Sequence, residues 1–318
     1  VRGRIAVLIS IGMLAVFLAP VLLPTSVGAG PGRTFVIGAV GDIATTLFPH
    51  NNPSRNQYDD VSELASSLGL TRLLVLGDAQ HEYGLYDDYL TYYDPYFGRL
   101  LDITSPVPGN HDYYYWDDAR GYFEYFGEIA RGPLGFYSFN LGSWHIIALN
   151  SQLCRIGDGC GPGTPQYVWL ETDLQNHPNE RYPGTIAFMH HPLFDWEPYS
   201  SASWFTWWDL EPQKPMWDLL YQYGADLVLV GHNHNYQRWA PQDPEGNSAP
   251  GGIREFVVGT GGAYLSDLGH PPRPANLEVA QDTSFGILRL TLYRGGYDFE
   301  FISIAGEILD AGYGVPVH

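Results

Sequence analysis

One pattern recurs along the chain and constrains its fold more than anything else. A short apolar run, the length of one buried strand, stops and is followed at once by aspartate, asparagine or histidine. The runs are "VIGAVGD" ending on Asp42, "VLGDAQHEYG" with Asp78 and His81, "SPVPGNHD" with Asn110 and His111, "IAFMHHP" with His190, and "LVLVGHNH" with His232 and His234. Runs so continuously apolar leave no wet face, which predicts strands covered on both sides. In open α/β sheets the carboxyl ends of such strands gather the functional loops. Taken singly, each residue has a plainer reading: Asp42 and Asp78 as caps, Asn110 as a turn residue, a lone histidine as structure. Together, these side chains of metal-binding type at strand ends point to one site. Gly77, Gly109 and Gly231 directly precede three of the groups, as expected where backbone turns sharply or approaches an ion.

The rest of the chain fits the same class. Strands are predicted at "TFVIGAV", "RLLVLG", "ITSPVP", "SWHIIALN", "TIAFMH" and "DLVLVG", with helices at Tyr58 to Leu68, Gln166 to Gln175 and Met216 to Tyr223 between them. Alternation of this kind predicts an α/β fold with helices packed on sheet faces. Beyond Gly251 strands follow one another without long helices, so the last third reads as antiparallel sheet. The aromatic segment Trp204 to Pro212 reads as a partly buried loop, with a substrate-lining role as its alternative.

Charge narrows the partners. The chain has 35 acidic against 16 basic residues, a formal net charge of -19, and Lys214 is its sole lysine. Such a surface repels phosphate backbones, so no nucleic-acid polymer is expected to bind; a small anion can bind where metal supplies positive charge. Residues 1–29 read as an export signal, with Arg2 and Arg4, an apolar run from Ile5 to Leu23, and small residues before a cleavage point after Ala29. If uncleaved, the run is near the length of a membrane anchor. Residues 30–318 are then expected to form a single catalytic domain of a secreted or cell-envelope protein. Cys154 and Cys160, close together in a loop rich in glycine and proline, are expected to pair in that compartment, worth about 2 kcal/mol on the chain-entropy model.

"GD" at Asp42, "GD" at Asp78, "GNHD" at Asn110, "HHP" at His190 and "GHNH" at His232 follow the order seen in calcineurin-like metallophosphoesterases. More narrowly, the stretch from Val36 to Ile304 resembles a purple acid phosphatase catalytic domain. The resemblance implies a four-layer αββα sandwich, two mixed β-sheets face to face with helices outside, and a two-metal centre at one end. No fibronectin-like domain of the kind found in larger plant relatives is expected ahead of it. Position by position, it implies Asp78 bridging both metals, Asp42 and His234 on the first ion, and Asn110, His190 and His232 on the second. His111 would face the substrate, with His191 a weaker candidate. Two transition-metal ions, iron, zinc or manganese, suit this mixture of oxygen and imidazole donors better than calcium.

The sequence departs from the family at the first ion. The superfamily's histidine two residues after the first aspartate is Ala44 here, and the tyrosine that purple acid phosphatases place three residues after the bridging aspartate is His81. His81 is therefore the expected replacement ligand, with Tyr83 as the alternative, and a ferric-tyrosinate colour is not expected. The implied reaction is hydrolysis of small phosphomonoesters by a metal-bound hydroxide, with His111 assisting the departing oxygen. A phosphodiesterase or nucleotide hydrolase on the same centre is the first alternative. A non-catalytic extracellular ligand-binding protein with structural metals is the second. No Gly-x-Ser-x-Gly elbow or phosphate-binding loop suggests another chemistry.

Overall fold

A computed structural model of the chain describes residues 33–46, 57–157, 159–179, 181–196 and 212–316. The expected export signal and residues 204–211 of the aromatic segment lie outside the described residues. Two sheets organise the remainder. Strands β1 (Phe35–Val40), β2 (Arg72–Leu76) and β3 (Thr104–Val107) run parallel; β11 (Gly286–Tyr293), β12 (Gly296–Ser303) and β13 (Ile308–Gly314) extend them antiparallel in the order β13-β12-β11-β1-β2-β3. The second sheet contains β4 (Tyr137–Leu141), β5 (Trp144–Ala148), β6 (Gly184–Phe188), β7 (Leu227–Val230), β8 (Tyr236–Trp239), β9 (Arg254–Val258) and β10 (Leu277–Gln281), ordered β10-β8-β9-β7-β6-β5-β4.

Strand periodicity explains the layers. Side chains alternate between faces along a strand, and here both faces are covered. Ile37 and Ala39 of β1, Leu74 and Leu76 of β2, Ile146 of β5, Ile186 and Phe188 of β6 and Leu227 and Leu229 of β7 meet in one core between the sheets. Their neighbours Val40, Leu73 and Val75 face a second core under the helix Tyr58–Ser67. Ile147, Ala187, Val228 and Val230 face a third, under the helices Pro165–Asn176 and Lys214–Gln222. Three stacked cores separate four layers, the αββα sandwich that the resemblance implied.

The final third differs in one respect from expectation. Strand β9 pairs parallel with β7 and antiparallel only with β8, because "IREFVV" enters the sheet as one more buried parallel strand. The antiparallel reading holds for β11, β12 and β13. Cys154 and Cys160 form a disulfide.

Candidate metal centre

The parallel strands of both sheets deliver their carboxyl ends to one place. Asp42 follows β1, Asp78 follows β2, Asn110 lies beyond β3, His190 lies beyond β6, and His232 and His234 follow β7. The two sheets are laced together there: Gly41 N–H donates to the Val258 carbonyl at 2.9 Å, and His232 N–H to Asp42 Oδ2 at 2.8 Å. The backbone is bent hard to achieve this. Asp42, Asp78 and His232 have φ of 59°, 48° and 70°, left-handed values that cost energy for residues with a Cβ and concentrate at functional sites. The fit is also tight against glycine. A Cβ on Gly109 would lie 2.1 Å from Asp78 Oδ1, and one on Gly77 2.5 Å from His190 Nδ1.

The side chains fall into adjoining groups. Asp42, His81 and His234 place donor atoms within 4.8 Å of one another, as do Asp42, Asp78 and His190, and Asp78, His81 and His111. Asn110 Oδ1 lies 2.9 Å from His190 Nε2 and 3.0 Å from His232 Nδ1. Asp78 Oδ2 lies 3.2 Å from His190 Nε2, and Asp42 Oδ1 3.2 Å from His234 Nε2. All seven sequence-derived ligand candidates therefore converge, with Asp78 belonging to more than one group. Tyr83 does not join them. It is 43% exposed and its ring meets Tyr114, whereas His81 is 4% exposed and packs against His111 and His234.

Three imidazoles are oriented by main-chain carbonyls: His190 Nδ1 by Leu76 at 2.8 Å, His234 Nδ1 by Tyr264 at 3.1 Å, and His111 Nδ1 by Glu82 at 2.9 Å. A carbonyl can only accept, so each Nδ1 carries the hydrogen, which leaves Nε2 of His190 and His234 free to ligate and Nε2 of His111 free to face the substrate. That test bears on whether cations fit. With Nδ1–H committed to Leu76, the neutral His190 ring aims a bare Nε2 at two further acceptors, Asn110 Oδ1 and Asp78 Oδ2. Such an arrangement requires a positive charge among them. In the protein alone that charge is a proton. Burial would lower the His190 pKa, but Asp78 and Asp42 outweigh burial and lift it to about 9. Desolvation among the packed rings and the neighbouring His190 instead lower the pKa of His232, whose side chain still reaches the surface. Burial would raise the Asp42 and Asp78 carboxyls, yet the surrounding histidines hold both below the usual carboxylate range. Asp42 Oδ1 and His81 Nδ1 are buried with no hydrogen bond of good geometry, their nearest polar neighbours being His234 Nε2 at 3.2 Å and Glu82 Oε1 at 3.7 Å. The residues present fit a pair of cations.

Several supporting residues were not legible beforehand. Glu82 braces the loops after β1 and β2, accepting from Thr45 Oγ1 and, at 2.5 Å, from Thr46 N–H. Asp112, the last residue of "GNHD", accepts from Gly109 N–H at 2.7 Å and from the Tyr89 hydroxyl, and burial together with Asp78 pushes it up to about 7. Tyr264, whose carbonyl orients His234, carried no sequence signal. His191 is buried behind His190 with Nδ1 on Ser151 Oγ at 2.8 Å, a bond that ties the Ser151–Cys154 turn to the site.

Comparison with known proteins follows from this geometry. A family model described as calcineurin-like phosphoesterase matches residues 35–236. The chain is 28% identical over 251 residues to acid phosphatase type 7 of Danio rerio, covering 69% of this chain and 55% of that protein. It is 27% identical over 283 residues to purple acid phosphatase 15 of Arabidopsis thaliana, covering 80% of this chain and 50% of that one. The chain thus spans about half the length of these curated relatives. A purple acid phosphatase from yellow lupin (Lupinus luteus) seeds superposes with a TM-score of 0.70 at 18% identity, over 89% of this chain and 54% of that one, a likeness of fold.

Proposed function

Because the chain belongs to the calcineurin-like phosphoesterase family, we propose that it is an exported, binuclear metal-dependent phosphatase acting on small phosphomonoesters. The observation that supports this most is the set of inward-facing acceptors, Asp42, Asp78, Asn110 and His190, which share Asp78 and call for more than one positive charge. On this reading Asp42, His81, His234 and Asp78 hold one ion, and Asp78, Asn110, His190 and His232 the other. Two ions there supply Lewis acidity for a bound water and neutralise phosphoryl oxygens. They are transition metals by donor type, and no nucleic-acid polymer partner is proposed.

The chain's own residues do the rest. Asp78 Oδ1 accepts the main-chain N–H of His111 at 2.9 Å, so the carboxylate that both ions would share also positions the substrate-facing residue. His111 keeps its Nδ1 hydrogen on the Glu82 carbonyl, which makes Nε2 the atom that carries a mobile proton when the ring is imidazolium. From there it can protonate the departing oxygen. His111→Ala should slow turnover by about 10²-fold, with the smallest loss on substrates whose leaving groups need no proton. An equal loss on every substrate would assign His111 to positioning alone. Export is proposed on the expected signal and on the Cys154–Cys160 disulfide, which persists in oxidising compartments.

The deciding experiment is a panel of phosphomonoesters and diesters assayed with zinc, manganese or iron supplied, before and after chelation. Chelator-sensitive monoester hydrolysis is the expected result. Hydrolysis of diesters alone would make the chain a phosphodiesterase, and no hydrolysis with ions bound would leave only a binding role.

A further inference from the structure

The segment that follows His111, "DYYYWDD", contains a division that the hydrolytic chemistry does not use. Tyr113 turns inward, 7% exposed, with its hydroxyl accepting from Asn150 Nδ2 at 2.8 Å. Tyr114, Tyr115 and Trp116 turn outward and are 67%, 57% and 39% exposed. Tyr83 joins them from the neighbouring loop, its ring 5.6 Å from that of Tyr114. A protein rarely leaves a cluster of large rings in water without a use, and such a patch beside a catalytic cleft marks a binding surface. Packing does not account for it: Tyr113 already anchors the segment. Arg120 lies over Trp116 at 4.1 Å, and Tyr115 meets Trp116 edge-on at 4.9 Å, so the outer pair is braced in place.

The patch is continuous with the candidate centre. The rings of His81 and His111 are 3.9 Å apart, and the rings of His111 and Tyr114 lie within 11° of parallel at 5.9 Å. A series of ring faces thus runs from a proposed metal ligand, past the residue that faces the leaving group, to solvent. We propose that Tyr114, flanked by Tyr83, is a stacking platform for the leaving group, and that the substrates are phosphomonoesters of aromatic alcohols or nucleosides. This rests on the phosphatase reading and refines its substrate class. A flat π-system gains on such a surface whatever its hydrogen-bonding pattern. An alkyl alcohol offers no face to stack.

The test uses the full metal-loaded chain and three substrates: phenyl phosphate, adenosine monophosphate and glycerol phosphate. Tyr114→Ala should lower kcat/KM for the ring-bearing substrates relative to glycerol phosphate by about tenfold, and Tyr114→Phe should restore most of the ratio. Tyr313→Ala, a similarly exposed tyrosine on β13, serves as the control and should leave the ratio as it is. The ring-bearing substrate whose ratio falls further identifies whether an aryl group or a nucleobase is the better occupant. A ratio unmoved by Tyr114→Ala overturns the platform while leaving the phosphatase reading intact. A wild-type chain that hydrolyses none of the three overturns both. Inhibition by inorganic phosphate provides a second readout: the inhibition constant of adenosine should rise in Tyr114→Ala more than that of phosphate, and equal rises would mean a general distortion of the site.

Discussion

Two clusters in this molecule are built from the same residue types, yet only one looks prepared for cations. The first gathers Asp42, Asp78, His81, His190 and His234 at the strand ends. The second lies on the outer face of the seven-stranded sheet, where His145 of β5 meets Asp173 of the helix Pro165–Asn176 and His177, which caps that helix, with donor atoms again within 4.8 Å of each other. The second holds one carboxylate, and both of its oxygens have hydrogen-bond partners. His145 Nδ1 bonds Asn140 Oδ1 at 2.8 Å and its Nε2 bonds Asp173 Oδ2 at 2.7 Å. Ser138 Oγ donates to Asp173 Oδ1 at 2.7 Å, and His177 Nδ1 to the Asp173 carbonyl at 2.8 Å. None of its three residues has a left-handed backbone. The strand-end cluster instead brings two carboxylates together, holds buried atoms without a hydrogen bond of good geometry, and contains three left-handed residues. Residue type alone does not mark a metal site; unsatisfied donors held by a strained backbone do.

The contrast breaks most visibly at the two central aspartates. Asp78→Ala should remove both ions and reduce kcat/KM by about 10³-fold or more, the scale of losing a principal electrostatic stabiliser. Asp173→Ala should keep both ions and much of the activity while losing stability. Elemental analysis of the two variants checks this directly, and two ions retained in Asp78→Ala would end its bridging assignment. A smaller effect is expected at His81. His81→Ala should weaken one ion by about ten- to a hundredfold in a metal titration, whereas Tyr83→Phe should change nothing, since its ring lies among exposed aromatics. His81→Tyr supplied with iron should gain a visible absorption that the native chain lacks; a strongly coloured native chain would assign the ligand to Tyr83 instead.

The smallest effect sharpens the other side of the comparison. Burial would raise the Asp173 pKa, but the bonds from His145 and Ser138 outweigh burial and hold it below the usual value. A carboxyl depressed on folding adds stability above its unfolded pKa of about 3.9 and loses it as pH falls through the folded value. Asp173→Asn should therefore cost about 1.5 kcal/mol at pH 7, and the difference from wild type should close below about pH 4. Denaturant melts at several pH values measure it. A gap that stays constant down to low pH would mean that the carboxylate's charge plays no part.

What could be read from the sequence was set by local chemistry. The parallel strands were legible because both of their faces are buried and each run is apolar throughout. Strands β4, β8, β10 and β13 were not, since each has exposed or partly exposed positions, and "YQRW" of β8 earns its place by pairing with β9 and β10. The ligand candidates were visible because strand ends place them at fixed positions after apolar runs. Glu82, the Tyr264 carbonyl and the His145–Asp173–His177 cluster were not, because their roles depend on which loops and helices the tertiary fold brings together. A hydrogen-bonded histidine and a ligating one look alike in sequence.

Crystals of the chain soaked with zinc or manganese and measured at the metal's absorption edge test the central claim most directly. Two anomalous peaks are predicted, one among Asp42, Asp78, His81 and His234 and the other among Asp78, Asn110, His190 and His232, with none beside Asp173. A single peak at the strand ends, or a peak held by His145, Asp173 and His177 at comparable height, would contradict it.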